Sequence, residues 1–225
     1  MDKRFILCIL VICSLFMSCI WLGQRSFMDY DEATYAQVYH ESLVRHDILT
    51  FTYLNQPWFK KPPLYFWLMD LSGSLLGEHE FSLRVPSALL LVVTILLVYA
   101  IVVTLTEDWK MGILSGVVLL STAYYVFAGR QVRLDIPVTA GILLSLYGFI
   151  KTREHAWWWV LFAVGLAIGV LCKSVIGLLV FGVVLIYSFV YQEYSWLREK
   201  WFWLSTVLAF VLIVPWHLYE LALFG

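Results

Sequence analysis

The sequence predicts an all-α polytopic membrane protein of about seven transmembrane helices, with a large external first loop that carries interfacial helices. Three observations lead there. Of the 225 residues, 62% are hydrophobic and 14% charged, against about 45–50% apolar and about 25% charged in a soluble domain. Apolar runs close to the length that crosses a bilayer recur along the chain, joined by short polar connectors. One long polar island, residues 28–84, sits between such runs. The net charge of -1 gives no footprint for nucleic acid. Many of the 11 tryptophans fall near the ends of apolar runs, where amphipathic rings settle at a membrane interface.

Taken in order, a short basic end (Lys3, Arg4) precedes an apolar run over residues 5–22. The run exceeds the usual signal-peptide core and no small-x-small cleavage site follows, so it reads as a first span with its basic end in the cytoplasm. Further runs occupy residues 86–105, 111–128, 134–150, 156–171, 175–191 and 201–219. Backbone polar groups must all be paired in lipid, so these are expected to be helices in one antiparallel bundle. The whole chain, residues 1–225, is expected to form a single module with the external loop at residues 23–85. Cys8, Cys13, Cys19 and Cys172 lack ligand spacing and read as membrane-buried thiols.

With the N-terminus inside, Lys3, Arg4, Lys110, Lys151, Arg153, Arg198 and Lys200 fall on the cytoplasmic side. Among the flank and short loops only Arg130, Arg133 and Lys173 fall outside, a split that favours this orientation. Those three exceptions share the predicted face of the island.

Within the island, residues 31–45 have helical spacing, with a Glu41→Arg45 pair and with Asp29 and Asp31 suited to the helix N-terminus. Residues 46–63 have turn and extended character, ending at Pro62-Pro63. Residues 64–76 read as an interfacial helix, and Gly77-Glu78-His79-Glu80 turns the chain into the second span.

Three acids stand out. Asp31 and Glu32 are adjacent, so on a helix only one faces a given site. Asp135 lies at the external mouth of the fourth run, where an acid is costly unless it faces a cavity or a cation. Two carboxylates at one aqueous pocket are the parts for general-base activation of a hydroxyl or for holding a divalent cation. The plainer alternative is a helix cap for Asp31 and an Arg133-paired end for Asp135. Lys60, Lys61, Arg84, Arg130, Arg133 and Lys173 suit an anionic lipid phosphate, or simple snorkelling to ordinary phospholipid. There is no Gly-rich phosphate loop for a soluble nucleotide, and the five histidines show no ligand spacing.

Asp31-Glu32-Ala33-Thr34-Tyr35-Ala36 resembles the Asp-Glu-x-x-Tyr-Ala signature of polyprenyl-phosphate-dependent membrane glycosyltransferases of the C-type (GT-C) fold. That group includes protein O-mannosyltransferases and lipid A aminoarabinose transferases. The resemblance continues through Lys61-Pro62-Pro63-Leu64-Tyr65-Phe66-Trp67 and Arg84-Val85-Pro86-Ser87-Ala88-Leu89. It returns at Arg133-Leu134-Asp135-Ile136-Pro137, at Gly169-Val170-Leu171-Cys172-Lys173-Ser174 and at Pro215-Trp216-His217.

The resemblance implies a glycosyltransferase that moves a sugar, with inversion, from a polyprenyl-phosphate donor to a hydroxyl of a lipid, glycan or protein. The work would be done on the external or periplasmic face of the plasma (inner) membrane. Asp31 would be the general base, Glu32 its helper and Asp135 the second acid. Lys61, Arg84, Arg133 and Lys173, with Tyr35, would bind the substrate and its phosphate. No cofactor is fixed by it, a divalent cation being the one candidate. Two departures from the family pattern are the absent C-terminal part of its architecture and Ser174 where a glycine is usual. The alternatives are a non-catalytic lipid-phosphate-binding accessory module or truncated remnant, and a small transporter. No charge lies deep within a span, which counts against transport.

Overall fold

The computed structural model describes residues 2–28 and 30–224, so Asp29 lies outside the described residues. Two compact units divide the chain, Met1–Pro137 and Val138–Gly225.

The first unit begins with α1 (Lys3–Cys19), where the Asp2 carboxylate accepts the Arg4 amide at 3.1 Å. After a loop comes α2 (Asp31–Arg45). Its cap is Tyr30, which makes no side-chain capping bond, and the Ala33 and Thr34 amides are taken by the Met28 and Tyr30 carbonyls. The capping role open to Asp31 is therefore filled by backbone. A two-residue hairpin follows, β1 (Thr52–Tyr53) antiparallel to β2 (Gln56–Pro57). Its turn residues Leu54 and Asn55 have φ of 52° and 60°, the left-handed pair that a tight hairpin needs and that leucine adopts at a cost.

Glu41 offsets that cost. Its buried carboxylate accepts the Leu54 amide at 2.8 Å, the Asn55 amide at 3.1 Å, the Thr52 hydroxyl at 2.7 Å and the Gln37 side chain at 2.9 Å. The expected Glu41–Arg45 pair is not formed, because Glu41 is occupied here and Arg45 turns to Asp47 at 3.5 Å. Phe51, Trp58 and Phe66 join Tyr35 in an aromatic cluster that packs hairpin, α2 and α3 together.

Helix α3 (Leu64–Leu76) starts just after Pro62-Pro63, and α4 (Glu80–Thr106) starts at a reciprocal cap between His79 and Ser82, both bonds 3.2 Å. Pro86 lies inside α4 and has no N–H to return to the Ser82 carbonyl. The Ser72 hydroxyl of α3 fills that vacancy at 2.5 Å. Helices α5 (Trp109–Ser121) and α6 (Ala123–Gly129) are bent by 73° about Thr122. Leu10 of α1, Leu91 and Ile95 of α4, Ala128 of α6 and Ile136 form the core. Helix α7 (Asp135–Lys151) opens at the end of this unit and runs on into the second.

In the second unit, α8 (Trp159–Lys173) is followed by a 3-10 turn over Ser174–Leu178 and by α9 (Leu179–Tyr191), then by α10 (Lys200–Phe224). Ser174 sits at φ 44°, and the chain folds back there. A Cβ on Gly169 would come within 2.9 Å of the Gly177 Cα, and the Phe162 and Phe181 rings are 5.6 Å apart. Trp159, Phe162, Leu166, Val180, Val184 and Phe202 make this unit's core.

Among the described residues, three helical stretches are long and apolar enough to cross a membrane, or four if the bent α5–α6 pair is one span. The expected count of seven is not confirmed by this criterion. Helices α1 and α7 have 17 residues each, about 25 Å at 1.5 Å per residue against a hydrocarbon core of about 30 Å. Residues 156–191 form one apolar stretch by composition, although it doubles back at Ser174. Exposed Leu89, Val93, Val118, Leu185, Phe189, Val207 and Val211 leave apolar outer faces that suit lipid.

Candidate active site

A buried ion pair holds the first unit's polar region together. Glu32 and Arg84 have side chains 3% and 4% exposed, with Arg84 Nε donating to Glu32 Oε1 at 2.8 Å and Nη2 to Oε2 at 3.1 Å. The remaining guanidinium N–H groups go to backbone carbonyls of the loop after α1: Leu22 at 2.9 Å, Arg25 at 2.7 Å and Ser26 at 3.0 Å. Glu32 also accepts the Met28 amide at 2.8 Å and the Val132 amide at 2.9 Å. Every N–H of Arg84 is thus used within the protein. A guanidinium in that state has none left for a phosphate, which corrects the expected substrate-binding role. Glu32 is likewise saturated by four donors, so it is a brace rather than a proton acceptor.

That brace spans a long sequence distance. Residue 32 lies in the first turn of α2, and Val132 lies in the connection before α7. Residues 31 and 135 flank it: Asp31 is the first residue of α2, and Asp135 the first of α7, both exposed. Each carboxylate therefore sits at the positive end of a helix dipole. The connection before α7 has a second anchor at Ser87, whose hydroxyl donates to the Arg133 carbonyl at 3.3 Å and lies 2.6 Å from the buried Tyr65 hydroxyl.

Electrostatics ties the acids into one neighbourhood. The Tyr35 phenol lies one helical turn beyond Asp31. It is pushed far above its ordinary value by burial first, then by the charges of Asp31 and Asp135, with Arg133 acting in opposition. Arg133 donates to the Tyr124 hydroxyl at 3.1 Å, and that bond, with the charges of Asp135 and Asp31, holds its guanidinium more firmly protonated. Asp31, Tyr35, Arg133 and Asp135 therefore lie within reach of one another's fields: two carboxylates, one cation and a phenol that keeps its proton.

The other expected cations are distributed differently. Lys61 is half-buried beside Pro62 and makes no hydrogen bond or ion pair among the described residues, while Lys60 is exposed. Arg130 donates to the Ile20 carbonyl at the end of α1, where a cation complements the helix dipole. Lys173 ends α8 in the second unit. Among the described residues, no group of three or more His, Cys, Asp or Glu side chains is placed to hold a metal ion. Sequence reasoning missed Tyr124, Tyr65 and Ser87. Ser87 lies inside a motif already singled out, but nothing in its spacing revealed its partners.

The family model for dolichyl-phosphate-mannose-protein mannosyltransferases matches residues 60–219. An uncharacterized protein of Aquifex aeolicus (strain VF5) is 29% identical across 98% of this chain and 44% of its own length. The undecaprenyl phosphate-alpha-4-amino-4-deoxy-L-arabinose arabinosyl transferase of Erwinia tasmaniensis is 26% identical across 71% of this chain and 30% of its own. Among solved structures, ArnT from Cupriavidus metallidurans bound to undecaprenyl phosphate has a TM-score of 0.86 at 21% identity, over 96% of this chain and 41% of that one. The S. cerevisiae Pmt1-Pmt2 complex bound to the sugar donor has a TM-score of 0.67 at 18% identity, over 98% and 33%. These likenesses establish the GT-C fold. The chain spans less than half the length of these relatives.

Proposed function

The chain belongs to the dolichyl-phosphate-mannose-protein mannosyltransferase family, and from that premise we propose that it carries the acid–base part of a glycosyltransferase site. The reaction moves a sugar from a polyprenyl-phosphate donor to a hydroxyl of a lipid, glycan or protein acceptor. The observation that carries this reading is the grouping of Asp31, Asp135, Arg133 and Tyr35 around the Glu32–Arg84 brace. The related structure bound to undecaprenyl phosphate supports the donor class. The cation count of the short loops supports a cytoplasmic N-terminus, with the site on the external face.

In this reading the Asp31 carboxylate accepts the proton of the acceptor hydroxyl as its oxygen attacks the anomeric carbon. The bond from that carbon to the phosphate oxygen breaks, and its electron pair leaves on the polyprenyl phosphate. Attack from the face opposite the phosphate inverts the centre. Lys61 and Arg133 stabilise the charge that develops on the phosphate, Lys61 as a point charge and Arg133 as a fork. Tyr35 keeps its proton beside Asp31, and Asp135 keeps Arg133 in place. Lys173, in the second unit, takes no part in this scheme.

The test is sugar transfer from a polyprenyl-phosphate donor by membranes carrying the wild type or Asp31→Asn. Loss of a positioned general base lowers the rate by about 10²–10⁴-fold, with membrane insertion unchanged. Transfer at the wild-type rate by Asp31→Asn would overturn the assignment.

A further inference from the structure

Tyr30, immediately before Asp31, holds a backbone shape that its side chain does not explain. Its φ is 72° and its ψ -109°, close to the first central position of a type II′ turn, where glycine is the ordinary occupant. A residue with a Cβ is strained there. Main-chain bonds on either side impose the conformation. The Met28 carbonyl accepts the Ala33 amide at 3.1 Å, the Tyr30 carbonyl accepts the Thr34 amide at 2.9 Å, and the Met28 amide goes to Glu32 at 2.8 Å. None of these needs a side chain at residue 30, and glycine would hold the same turn without strain.

Nothing the tyrosine side chain does within the protein offsets the strain. It is 89% exposed, the most exposed large apolar side chain among the described residues, and makes no capping bond. Other tyrosines of this region are engaged: Tyr35 packs against Trp58 and Phe66, Tyr65 meets Ser87, and Tyr124 accepts from Arg133. Among the described residues, the ring and hydroxyl of Tyr30 have no such partner.

The chain therefore carries a free aromatic face next to the carboxylate that receives the acceptor hydroxyl. Consecutive Cα atoms lie about 3.8 Å apart, so a group held at Asp31 is within reach of this ring. A tyrosine offers a large, rigid, flat contact area with few angles to fix, and its phenol adds a polar tip. A sugar ring matches that surface, with a C–H face for the aromatic ring and hydroxyls at its rim. A serine or threonine side chain brings no flat face. We propose that Tyr30 is a specificity-determining contact for the acceptor, a platform on which the sugar ring bearing the attacked hydroxyl stacks. The proposal rests on the transfer reading for what Asp31 holds.

The test uses the full chain in nanodiscs, with saturation-transfer NMR on methyl β-glucoside and on a short uncharged threonine peptide, and thermal melts without either. The glucoside ring protons are saturated by the wild type. Tyr30→Ala and Tyr30→Gly each weaken the glucoside by at least about fivefold, the loss of one aromatic contact. Tyr30→Phe, which keeps the ring, recovers most of that affinity. Tyr30→Ala leaves the thermal midpoint within about 2 °C of the wild type, and Tyr30→Gly raises it by about 2–4 °C, because only glycine releases the strain. Three results would each overturn the proposal: glucoside affinity unchanged in Tyr30→Ala, a midpoint that falls in Tyr30→Gly, or a peptide that binds more tightly than the glucoside and loses affinity in Tyr30→Ala. Neither readout needs turnover. A wild type that binds the glucoside through Tyr30 and transfers no sugar therefore refutes the transfer reading and leaves the sugar platform standing.

Discussion

Glu32→Gln is the most searching perturbation of the site's scaffold. The wild-type carboxylate receives four N–H groups at 2.8–3.1 Å, two on each oxygen. Glutamine keeps one oxygen and turns an NH₂ toward the other pair. Whichever way the amide is placed, two buried donors lose their acceptor, at about 1–3 kcal/mol each. That sum agrees with the roughly 3–5 kcal/mol for breaking one side of a buried ion pair. At about 2–4 °C per kcal/mol for a chain of this size, the thermal midpoint falls by roughly 10 °C. Arg84→Met does the same from the other side. The double variant Glu32→Gln/Arg84→Met falls by less than the sum of the two, because it no longer strands a charge. Tryptophan-fluorescence melts of the four proteins in one detergent measure this. An additive double variant, or a midpoint for Glu32→Gln within about 2 °C of the wild type by the same conversion, would refute the bracing argument.

Other outcomes follow from the same geometry. Glu41 is held down at about 2 by its hydrogen bonds to Thr52, Gln37, Asn55 and Leu54, which outweigh the opposing effect of burial, against an ordinary 4.5. Its contribution to stability is therefore complete above pH 4.5 and is lost as pH falls toward 2. In acid melts over that window Glu41→Gln has a flatter profile than the wild type. Ser72→Ala strands the Ser82 carbonyl that Pro86 leaves open, lowering stability by about 1–3 kcal/mol in equilibrium unfolding. Gly73→Ala drives a methyl to within 2.1 Å of the Tyr39 hydroxyl; Tyr39→Phe in the same chain restores part of the lost stability, because the next atom is 3.1 Å away.

Much of the architecture was legible in the residue pattern because it depends on local rules. The helices over residues 31–45 and 64–76 begin and end where spacing, proline and glycine placed them. The membrane character follows from composition. The count of spans is not confirmed in the same way, because apolar run length is blind to a 73° bend at Thr122 and to a reversal at Ser174. Charge assignment was the weaker part. Arg84 and Lys61 read alike in sequence, each a cation at the edge of an apolar run. Only the fold buries Arg84 under three loop carbonyls and a carboxylate while leaving Lys61 half-buried without a partner among the described residues.

The motif Asp31-Glu32 shows where the division lies. Adjacent residues on a helix point about 100° apart, so the sequence by itself determined that only one of the two acids can face a given site. It named Asp31 as a candidate from its place in the Asp-Glu motif of the island, and Asp135 from its place at the mouth of an apolar run. Tertiary structure alone decided that Glu32 is the inward one. It joins α2 to Val132, 100 residues away, and so draws the two candidate acids toward the same arginine. Hydrogen bonds of that span are set by how the helices pack, and no local spacing encodes them.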